Sequence, residues 1–303
     1  MMDGFIIIDK PAGLTSQAVV SRVKRIFGCH KAGHTGTLDP LATGVLPVAL
    51  GKATKLIPYL DESVKIYSGE LCLGVETDTY DCQGAIRRQF TGNMRFSPLD
   101  LETVLADFTG TISQVPPTFS ALKYKGKPLY ALARSGKPVI PPPRQITVDS
   151  FELLSMKLPK ATFRVCCSRG TYVRSLVHDI GLQLGCGAML TRLVRERSGP
   201  FLLADALGLE QLKVVAGQGD FSNVISMAKV LSRMPALTIE DEELIALIRT
   251  GSAVPEQRIK ETLTQAPGTE YKLIDSVGNL LAIACLVLEN RYAQLRMKRV
   301  FLQ

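Results

Sequence analysis

The alternation of apolar and polar positions along the chain predicts an α/β protein. Residues 65–73, KIYSGELCL, place Tyr67, Leu71 and Leu73 on one face, as a half-buried strand requires. Ser16 can cap a helix that runs to residue 27, since the apolar residues of this segment recur at helical spacing. The same criteria predict further strands at 5–9, 45–50, 145–154 and 161–168, and further helices at 53–60, 97–108, 171–184 and 226–234.

The pattern changes after Pro235. A predicted helix at 240–250 is followed by three short predicted strands at 271–275, 280–287 and 293–301. A segment of this kind makes a small, mostly β module. The sequence therefore predicts two domains, with residues 1–235 in the larger one and residues 236–303 in the smaller one.

Charge and composition indicate the kind of partner and compartment. The 303 residues include 36 Lys and Arg against 28 Asp and Glu, a net charge of +8, which favours a polyanion such as nucleic acid. No apolar run approaches the length of a membrane span, so no membrane association is expected. Seven scattered cysteines and an N-terminal apolar run flanked by acids favour reduced thiols in the cytoplasm.

Asp39 is the only acid within residues 31–50, on a loop rich in Gly and Thr. The next acid towards the N-terminus is Asp9, and five cations lie between the two. Neighbouring positive charge favours the ionised carboxylate, which would suit a nucleophile at a site that attracts a polyanion. The alternative is a turn aspartate that caps its own backbone, and composition alone favours that alternative.

Residues 118–145 contain six cations and no acid, with Tyr124 and Tyr130 interleaved. Basic residues with aromatic neighbours suit an arm that binds a phosphate backbone and stacks on bases. An ordinary solvated basic segment is the other interpretation. The cations are Lys123, Lys125, Lys127, Arg134, Lys137 and Arg144.

Other polar groups are candidate ligands. The histidines and cysteines lack metal-ligand spacing, so no metal site is expected. The acidic turn at 74–84 is typical of a solvated or arginine-paired loop. Arg192, Arg195 and Arg197 either contact phosphate or are surface charge. Thr171 is the predicted cap of the helix at 171–184, which places Tyr172 and Arg174 in its first turn, where ligands often bind.

Four segments, in order, resemble the family of bacterial tRNA pseudouridine synthase B. They are GHTGTLDPLATGVLPV, KIYSGELCLGVETDTYDCQG, PPTFSALKYKGKPLYALARSGKPV and CSRGTYVRSLVHDIGLQLGCGA, within residues 3–201. The C-terminal part is similar to a PUA-type RNA-binding module, a less diagnostic match. The resemblance implies the pseudouridine synthase fold, a mixed, mostly antiparallel sheet flanked by helices.

The resemblance also implies the reaction and its residues. The family converts uridine 55 in the T arm of tRNA to pseudouridine without cofactor or metal, using residues 118–145 as an RNA-gripping thumb. Mapped onto this sequence, the nucleophile is Asp39, the residue paired with it is Arg174, the ring stacked on the target base is Tyr67, the RNA contact beside the displaced base is His34, and the pocket residues are Tyr172 and Leu193. Met189 and Val194 depart from the family pattern, so neither is expected to bind phosphate.

The chemistry agrees with these assignments. Pseudouridine formation breaks the N1–C1′ bond, rotates the uracil and joins C5 to C1′, which requires no redox partner. A carboxylate can attack C1′ or C6, or assist loss of the base. Either Tyr67 or a water chain can then remove the C5 proton.

Three other activities are alternatives for the same sequence. A uracil-C5 methyltransferase needs a cysteine nucleophile and a methyl donor, but no glycine-rich donor loop is present. A zinc deaminase needs H-x-E with P-C-x-x-C, which is absent. A tRNA-folding chaperone, acting with or without catalysis, stays open because gripping RNA does not require Asp39. A monomer is the expected state.

Overall fold

The computed structural model describes residues 2–61, 63–259, 266–289 and 292–302. The strands before residue 235 are β1 (Gly4–Lys10), β2 (Ala32–His34), β3 (Thr43–Leu50), β4 (Val64–Leu73), β5 (Val75–Thr77), β6 (Ile86–Gln89), β7 (Gly110–Gln114), β8 (Lys123–Tyr124), β9 (Lys127–Pro128), β10 (Arg144–Lys157), β11 (Lys160–Ser168), β12 (Ala188–Ser198) and β13 (Phe201–Leu202). The helices are α1 (Ser16–Ile26), α2 (Pro98–Asp107), α3 (Leu129–Arg134), α4 (Val173–Gln183), α5 (Leu209–Gly217) and α6 (Met227–Val230), with 3-10 turns at Gly51–Tyr59 and Leu203–Asp205. No helix in these ranges is long and apolar enough to cross a membrane.

A nine-stranded sheet forms the centre of this part, in the order β1-β3-β12-β4-β11-β10-β7, with β2 and β13 at its sides. Strands β3 and β12 pair in parallel, and the other strand pairs of this sheet are antiparallel. The predicted mixed, mostly antiparallel sheet is therefore confirmed. At that parallel contact Gly44 has φ +95°, and a Cβ there would lie 2.3 Å from the carbonyl oxygen of Arg195. Only glycine permits this approach.

Strand β4 follows the predicted alternation. Its buried residues are Lys65, Tyr67, Gly69, Leu71 and Leu73, and the residues between them are partly exposed. Ser97 also caps α2 as predicted, in a capping box with Asp100. These two elements are specified by neighbours in sequence, which is why pattern alone identified them.

Two predicted helix caps are wrong. The cap of α1 is Thr15, whose Oγ1 accepts a hydrogen bond from the Ala18 N–H at 3.1 Å. Ser16 instead binds the main chain of Leu38, with its Oγ donating to the carbonyl at 3.0 Å and accepting from the N–H at 2.8 Å. This pair of bonds ties α1 to the residue before Asp39. Local sequence could not distinguish two adjacent hydroxyls.

The second correction concerns α4. The residue at its N-cap is Tyr172, not Thr171, and it forms no side-chain cap. Tyr172 is held by Gln114, whose Oε1 accepts from the Tyr172 N–H at 2.8 Å and whose Nε2 donates to the Tyr172 carbonyl at 3.0 Å. A buried glutamine on β7 thus fixes the start of α4. Tyr172 therefore precedes the first turn, and Arg174 lies within it.

Within its described residues, the C-terminal part is a second sheet with one α-helix. Its elements are β14 (Ala236–Thr238), α7 (Glu242–Arg249), β15 (Val254–Pro255), a 3-10 turn (Glu256–Arg258), β16 (Glu270–Ile274), β17 (Leu280–Glu289) and β18 (Tyr292–Val300). The strand order is β14-β16-β17-β18-β15. Ile283 and Phe301 of this part share an apolar cluster with Phe5 and Ile7 of β1. The boundary at 235/236 stays a prediction, since the two parts share apolar packing.

Candidate active site

The Asp39 loop connects β2 to β3 and is held by a buried lysine. The Nζ of Lys10 donates to the carbonyls of Ala42 at 2.7 Å, Pro11 at 2.9 Å and Pro40 at 3.4 Å. Lys10 is 0% exposed and so fixes the backbone that directly follows Asp39. Sequence reasoning counted Lys10 only as one of several neighbouring charges and missed this role.

Arg174 binds Asp39 with two parallel hydrogen bonds. Its Nε donates to Oδ2 at 2.8 Å and its Nη2 to Oδ1 at 3.0 Å. The remaining donors reach the carbonyls of Thr79 and Phe119, at 2.8 and 3.0 Å. A planar guanidinium that makes four such hydrogen bonds fixes the orientation of the carboxylate. Since both Asp39 oxygens bind Arg174, the turn-cap interpretation does not describe this residue.

A cavity of about 790 Å³ opens beside Asp39. The Asp39 side chain is 35% exposed, so its carboxylate remains accessible although it is paired. The predicted residues that line this cavity together are Asp39, Tyr67, Tyr172, Arg174 and Leu193. His34, at the end of β2, lines an adjoining cavity of about 740 Å³ that also reaches Asp39. The structure thus places the other five of these residues in the two cavities that contain the Asp39 carboxylate.

Tyr67 has a hydroxyl that strongly favours its protonated form. Burial raises its pKa above the ordinary value of 10.0, and the nearby Arg195 guanidinium only partly offsets this effect. A phenolate is therefore scarce near neutral pH, which makes Tyr67 a poor base for the C5 proton. Its ring, on the buried face of β4, is suited to stacking.

Arg195 is a site residue that sequence reasoning misinterpreted. It is 0% exposed, so neither the phosphate contact nor the surface charge considered for it is correct. Its Nε donates to the Val45 carbonyl at 2.7 Å and its Nη2 to the Gly36 carbonyl at 3.1 Å. It therefore braces both ends of the Asp39 loop. The sequence does contain a signal for this role, because Arg195 follows Leu193 by two residues on one strand. Side chains two residues apart on a strand lie on the same face of the sheet.

The acidic turn is arginine-paired, as one of its two interpretations predicted. Glu76 pairs with Arg88 and Asp78 with Arg87, while Asp81 lies 3.6 Å from Arg174. The turn supplies Arg174 with both the Asp81 carboxylate and the Thr79 carbonyl.

Tyr80 in the same turn adopts φ +65°, which is unfavourable for a side chain of this size. Its ring stacks on that of His178 with centroids 3.9 Å apart and planes at 9°. His178 lies one helical turn after Arg174, and burial lowers its pKa, so the stacked ring is neutral at pH 7. The stack anchors the turn that holds Arg174.

The cations of residues 118–145 lie in two different parts of the fold. Lys123, Lys125 and Lys127 are exposed on the β8–β9 hairpin, whose two central residues, Lys125 and Gly126, both have positive φ as in a type I′ turn. Arg134 follows at the end of α3, where its guanidinium lies 5.6 Å from the Tyr130 ring centroid. Arg144 is instead the first residue of β10 in the central sheet and lines the cavity beside Asp39, so its contact with the RNA backbone stays a prediction.

Comparison with known proteins identifies the family. The model of the TruB family pseudouridylate synthase N-terminal domain matches residues 24–173, and that of the tRNA pseudouridylate synthase B C-terminal domain matches residues 174–233. A relative from Syntrophotalea carbinolica, named tRNA pseudouridine synthase B, is 43% identical over 292 residues, 94% of this chain and 92% of its own. The chain belongs to the TruB family of pseudouridylate synthases.

Further relatives agree with this assignment. A tRNA pseudouridine synthase B from Geobacter sulfurreducens is 53% identical over 240 residues, 78% of each chain. A solved H/ACA RNP bound to a substrate RNA containing 2′-deoxyuridine matches with a TM-score of 0.72 and 27% identity, over 99% of this chain and 85% of that chain. The sequence resemblance to TruB is confirmed. The ion pair of Asp39 with Arg174 joins the two family regions, which meet at residue 173/174.

Lys10 should make the free energy of unfolding of this TruB-family protein depend on pH. Burial lowers the pKa of Lys10 from 10.5 to about 8, partly offset by Asp39 and reinforced by Arg195. Between pH 8 and pH 10.5, Lys10 is protonated in more of the unfolded molecules than of the folded ones. The free energy of unfolding should therefore rise with pH over this range, by at most about 1.4 kcal/mol per pH unit. Urea unfolding of the wild type and Lys10→Met at pH 7.5 and 9.5 measures this contribution, which the variant lacks. A stability difference between the two proteins that stays constant with pH would contradict it.

Proposed function

We propose that this protein isomerises uridine 55 in the T arm of tRNA to pseudouridine, with Asp39 as the nucleophile and no cofactor. The observation that carries the proposal is an accessible carboxylate, fixed by two hydrogen bonds from Arg174, in a cavity that also holds an aromatic ring and an apolar residue. Relatives covering most of the chain are named tRNA pseudouridine synthase B, which supports tRNA as the substrate.

The target base must leave the folded arm before it can react. Flipping a nucleotide costs a few kcal/mol of lost stacking and pairing. The Tyr67 ring replaces the lost stacking partner, and Leu193 closes the apolar side of the cavity. The base then lies against the Asp39 carboxylate in a site whose polar groups are already oriented.

Asp39 then attacks C1′ or C6 of the nucleoside, and the N1–C1′ bond breaks. The uracil rotates so that C5 bonds to C1′, and the bond between Asp39 and the nucleoside breaks, which regenerates the carboxylate. The C5 proton leaves and N1 gains a proton, so atoms and charge balance without an external donor. We assign the C5 proton to water, not to Tyr67, because burial raises the pKa of the Tyr67 hydroxyl. Arg174 keeps both oxygens of Asp39 oriented through these steps.

The hairpin lysines and Arg134 bind the RNA backbone. Tyr130 and Arg134 line the cavity adjoining Asp39, which links this basic segment to the reaction centre. The cytoplasmic location and the monomeric state stay predictions from the sequence.

Replacing Lys123, Lys125 and Lys127 with Ala should weaken T-arm binding and reduce its salt dependence. Each lost phosphate contact lowers the slope of log Kd against log salt by about 0.7–0.9, and kcat at saturating RNA should change less than about threefold. Filter binding at several salt concentrations measures this slope.

A variant with Lys157, Lys213 and Lys229 replaced by Ala removes the same charge from exposed positions elsewhere and serves as the control. Equal slopes for the hairpin variant, the control variant and the wild type would contradict a backbone-binding hairpin.

The proposed activity is tested on T-arm stem-loop transcripts. Digestion of the treated RNA to nucleosides, followed by chromatography, should yield one pseudouridine per molecule, and none when position 55 is cytidine. Tight, salt-dependent binding without any pseudouridine would contradict the proposal and favour a chaperone that folds tRNA without modifying it.

A further inference from the structure

Helix α4 contacts the acidic turn at 74–84 through two side chains of one helix face. Arg174 and His178 are four residues apart, so their side chains are neighbours on the helix surface. The Nη1 of Arg174 donates to the Thr79 carbonyl at 2.8 Å. The next residue of the turn, Tyr80, stacks its ring on that of His178 with centroids 3.9 Å apart. The helix therefore binds two successive residues of the turn.

Tyr80 connects the same turn to strand β12. Its carbonyl accepts a hydrogen bond from the Leu190 N–H at 3.0 Å, and the Cys82 N–H donates to the Leu190 carbonyl at 2.9 Å. The successive carbonyls of Thr79 and Tyr80 thus bind α4 and β12 respectively. The main chain that makes both contacts has φ +65° at Tyr80.

A tyrosine at this φ needs a compensating interaction. Positive φ is sterically unfavourable for a bulky side chain, and glycine or asparagine is more usual there. Within the described residues, the other non-glycine residue with positive φ is Lys125, at the exposed tip of the β8–β9 hairpin. Strained residues persist where their surroundings fix them, and they cluster at functional sites. The stack on His178 is a contact that a glycine could not make.

His178 contributes the face of its ring to this contact. The planes of the two rings differ by 9°, and the buried Nδ1 of His178 has no hydrogen-bond partner among the described residues. Of the described residues that line the two cavities, none is Tyr80 or His178. An effect of this pair on the reaction must therefore pass through the residues that the pair holds.

Tyr80 lies between the two turn residues that contact Arg174. Thr79 supplies a carbonyl, and the Asp81 carboxylate lies 3.6 Å from the Arg174 Nη1. A change in the backbone dihedrals of Tyr80 would shift these two groups relative to each other. Arg174 would then lose part of the support that orients it towards Asp39.

We infer that the stack of Tyr80 on His178 positions Arg174 for the isomerisation. The inference rests on the proposed function and adds to it two positioning residues outside the cavities. The stack holds Tyr80 in its strained conformation, which keeps the Thr79 carbonyl on Arg174 and the Asp39 carboxylate oriented. Loss of the stack should therefore lower kcat and leave KM nearly unchanged.

The test measures kcat and KM on the T-arm transcript for variants that remove one ring. Tyr80→Gly removes the ring and also relieves the backbone strain, so the fold should tolerate it. It should lower kcat about tenfold and change KM less than about threefold. His178→Ala keeps a good helix former in α4 and should cause the same loss. Tyr80→Phe and His178→Phe keep two stacked rings and should stay within about twofold of the wild type.

Double variants distinguish positioning of Arg174 from a merely structural role. Tyr80→Gly combined with His178→Ala should be no slower than either single variant, because both remove the same stack. In an Arg174→Lys background, Tyr80→Gly should lower kcat less than about twofold further. The lysine ammonium no longer links the Asp39 carboxylate to the Thr79 carbonyl, so the stack has nothing left to position.

Phe221→Gly is the matched control. It removes a ring from the Phe27–Phe221 pair, which is not among the described residues that line the two cavities, and should leave kcat and KM unchanged. Wild-type kcat in Tyr80→Gly, an equal loss in Tyr80→Phe, or a tenfold further loss in the Arg174→Lys background would overturn the positioning role. Absence of wild-type turnover on the transcript would overturn the proposed function, on which the inference rests.

Discussion

Asp39→Asn should abolish pseudouridine formation, with single-turnover rates at least about 10⁴-fold below those of the wild type. An amide is not a nucleophile, and its NH₂ group would face a guanidinium donor of Arg174 where the carboxylate now accepts a hydrogen bond at 2.8 or 3.0 Å. Binding of the T-arm stem-loop should stay within about tenfold, since most of the affinity comes from phosphate contacts. Single-turnover assays and filter binding measure the two effects separately.

The control for this variant is Asp205→Asn, an exposed aspartate on a 3-10 turn away from the cavity. It makes the same chemical change and should leave the rate unaltered. Substantial turnover by Asp39→Asn would contradict the nucleophile assignment. Equal losses of rate and binding in that variant would point to a structural role for Asp39 instead.

Arg174→Lys should lower kcat by about 100-fold and change KM less than about threefold. Lysine keeps the positive charge, but one ammonium cannot bind both oxygens of Asp39 and also reach the carbonyls of Thr79 and Phe119. The carboxylate would remain in the cavity without a fixed orientation. Steady-state kinetics on the T-arm transcript separate the two parameters.

Arg164→Lys is its control, because Arg164 also pairs with a carboxylate, Glu196, but on the exposed side of the sheet. This variant should have wild-type kinetics. A kcat for Arg174→Lys within about threefold of the wild type would show that charge alone suffices and that the two-bond geometry does not matter.

Sequence alone predicted the features that depend on near neighbours or on the family motifs. The alternation that buries Tyr67 and Leu71 on β4 and the Ser97 cap of α2 follow from local pattern. Asp39 and Arg174, 135 positions apart, were paired only through the resemblance, because no local rule connects residues so distant.

The supports of the site could not be predicted in this way. Lys10 and Arg195 read as ordinary charges of a basic chain, yet both are fully buried and hold backbone carbonyls of the Asp39 loop. Gln114 fixes Tyr172 across 58 positions. In each case the partner is a main-chain group whose position depends on the completed fold, and no side-chain pattern in the sequence reports it.

Tyr67 shows how the structure changes a chemical assignment. With the ordinary pKa of 10.0, the Tyr67 hydroxyl was one of two possible bases for the C5 proton. Burial raises that pKa and so lowers the fraction of Tyr67 that is present as phenolate. A pH–rate profile of Tyr67→Phe parallel to that of the wild type would agree with a stacking role, because Phe keeps the ring and loses only the hydroxyl.

Tritium release from T-arm RNA labelled only at C5 of uridine 55 shows directly whether Asp39 drives pseudouridine formation at that position. The wild-type protein should release one tritium per RNA molecule, and Asp39→Asn should release none, because bond formation at C5 requires loss of that hydrogen. RNA labelled at another uridine of the same arm should keep its tritium. Retention of the position-55 label by the wild type, or equal release by Asp39→Asn, would contradict the account.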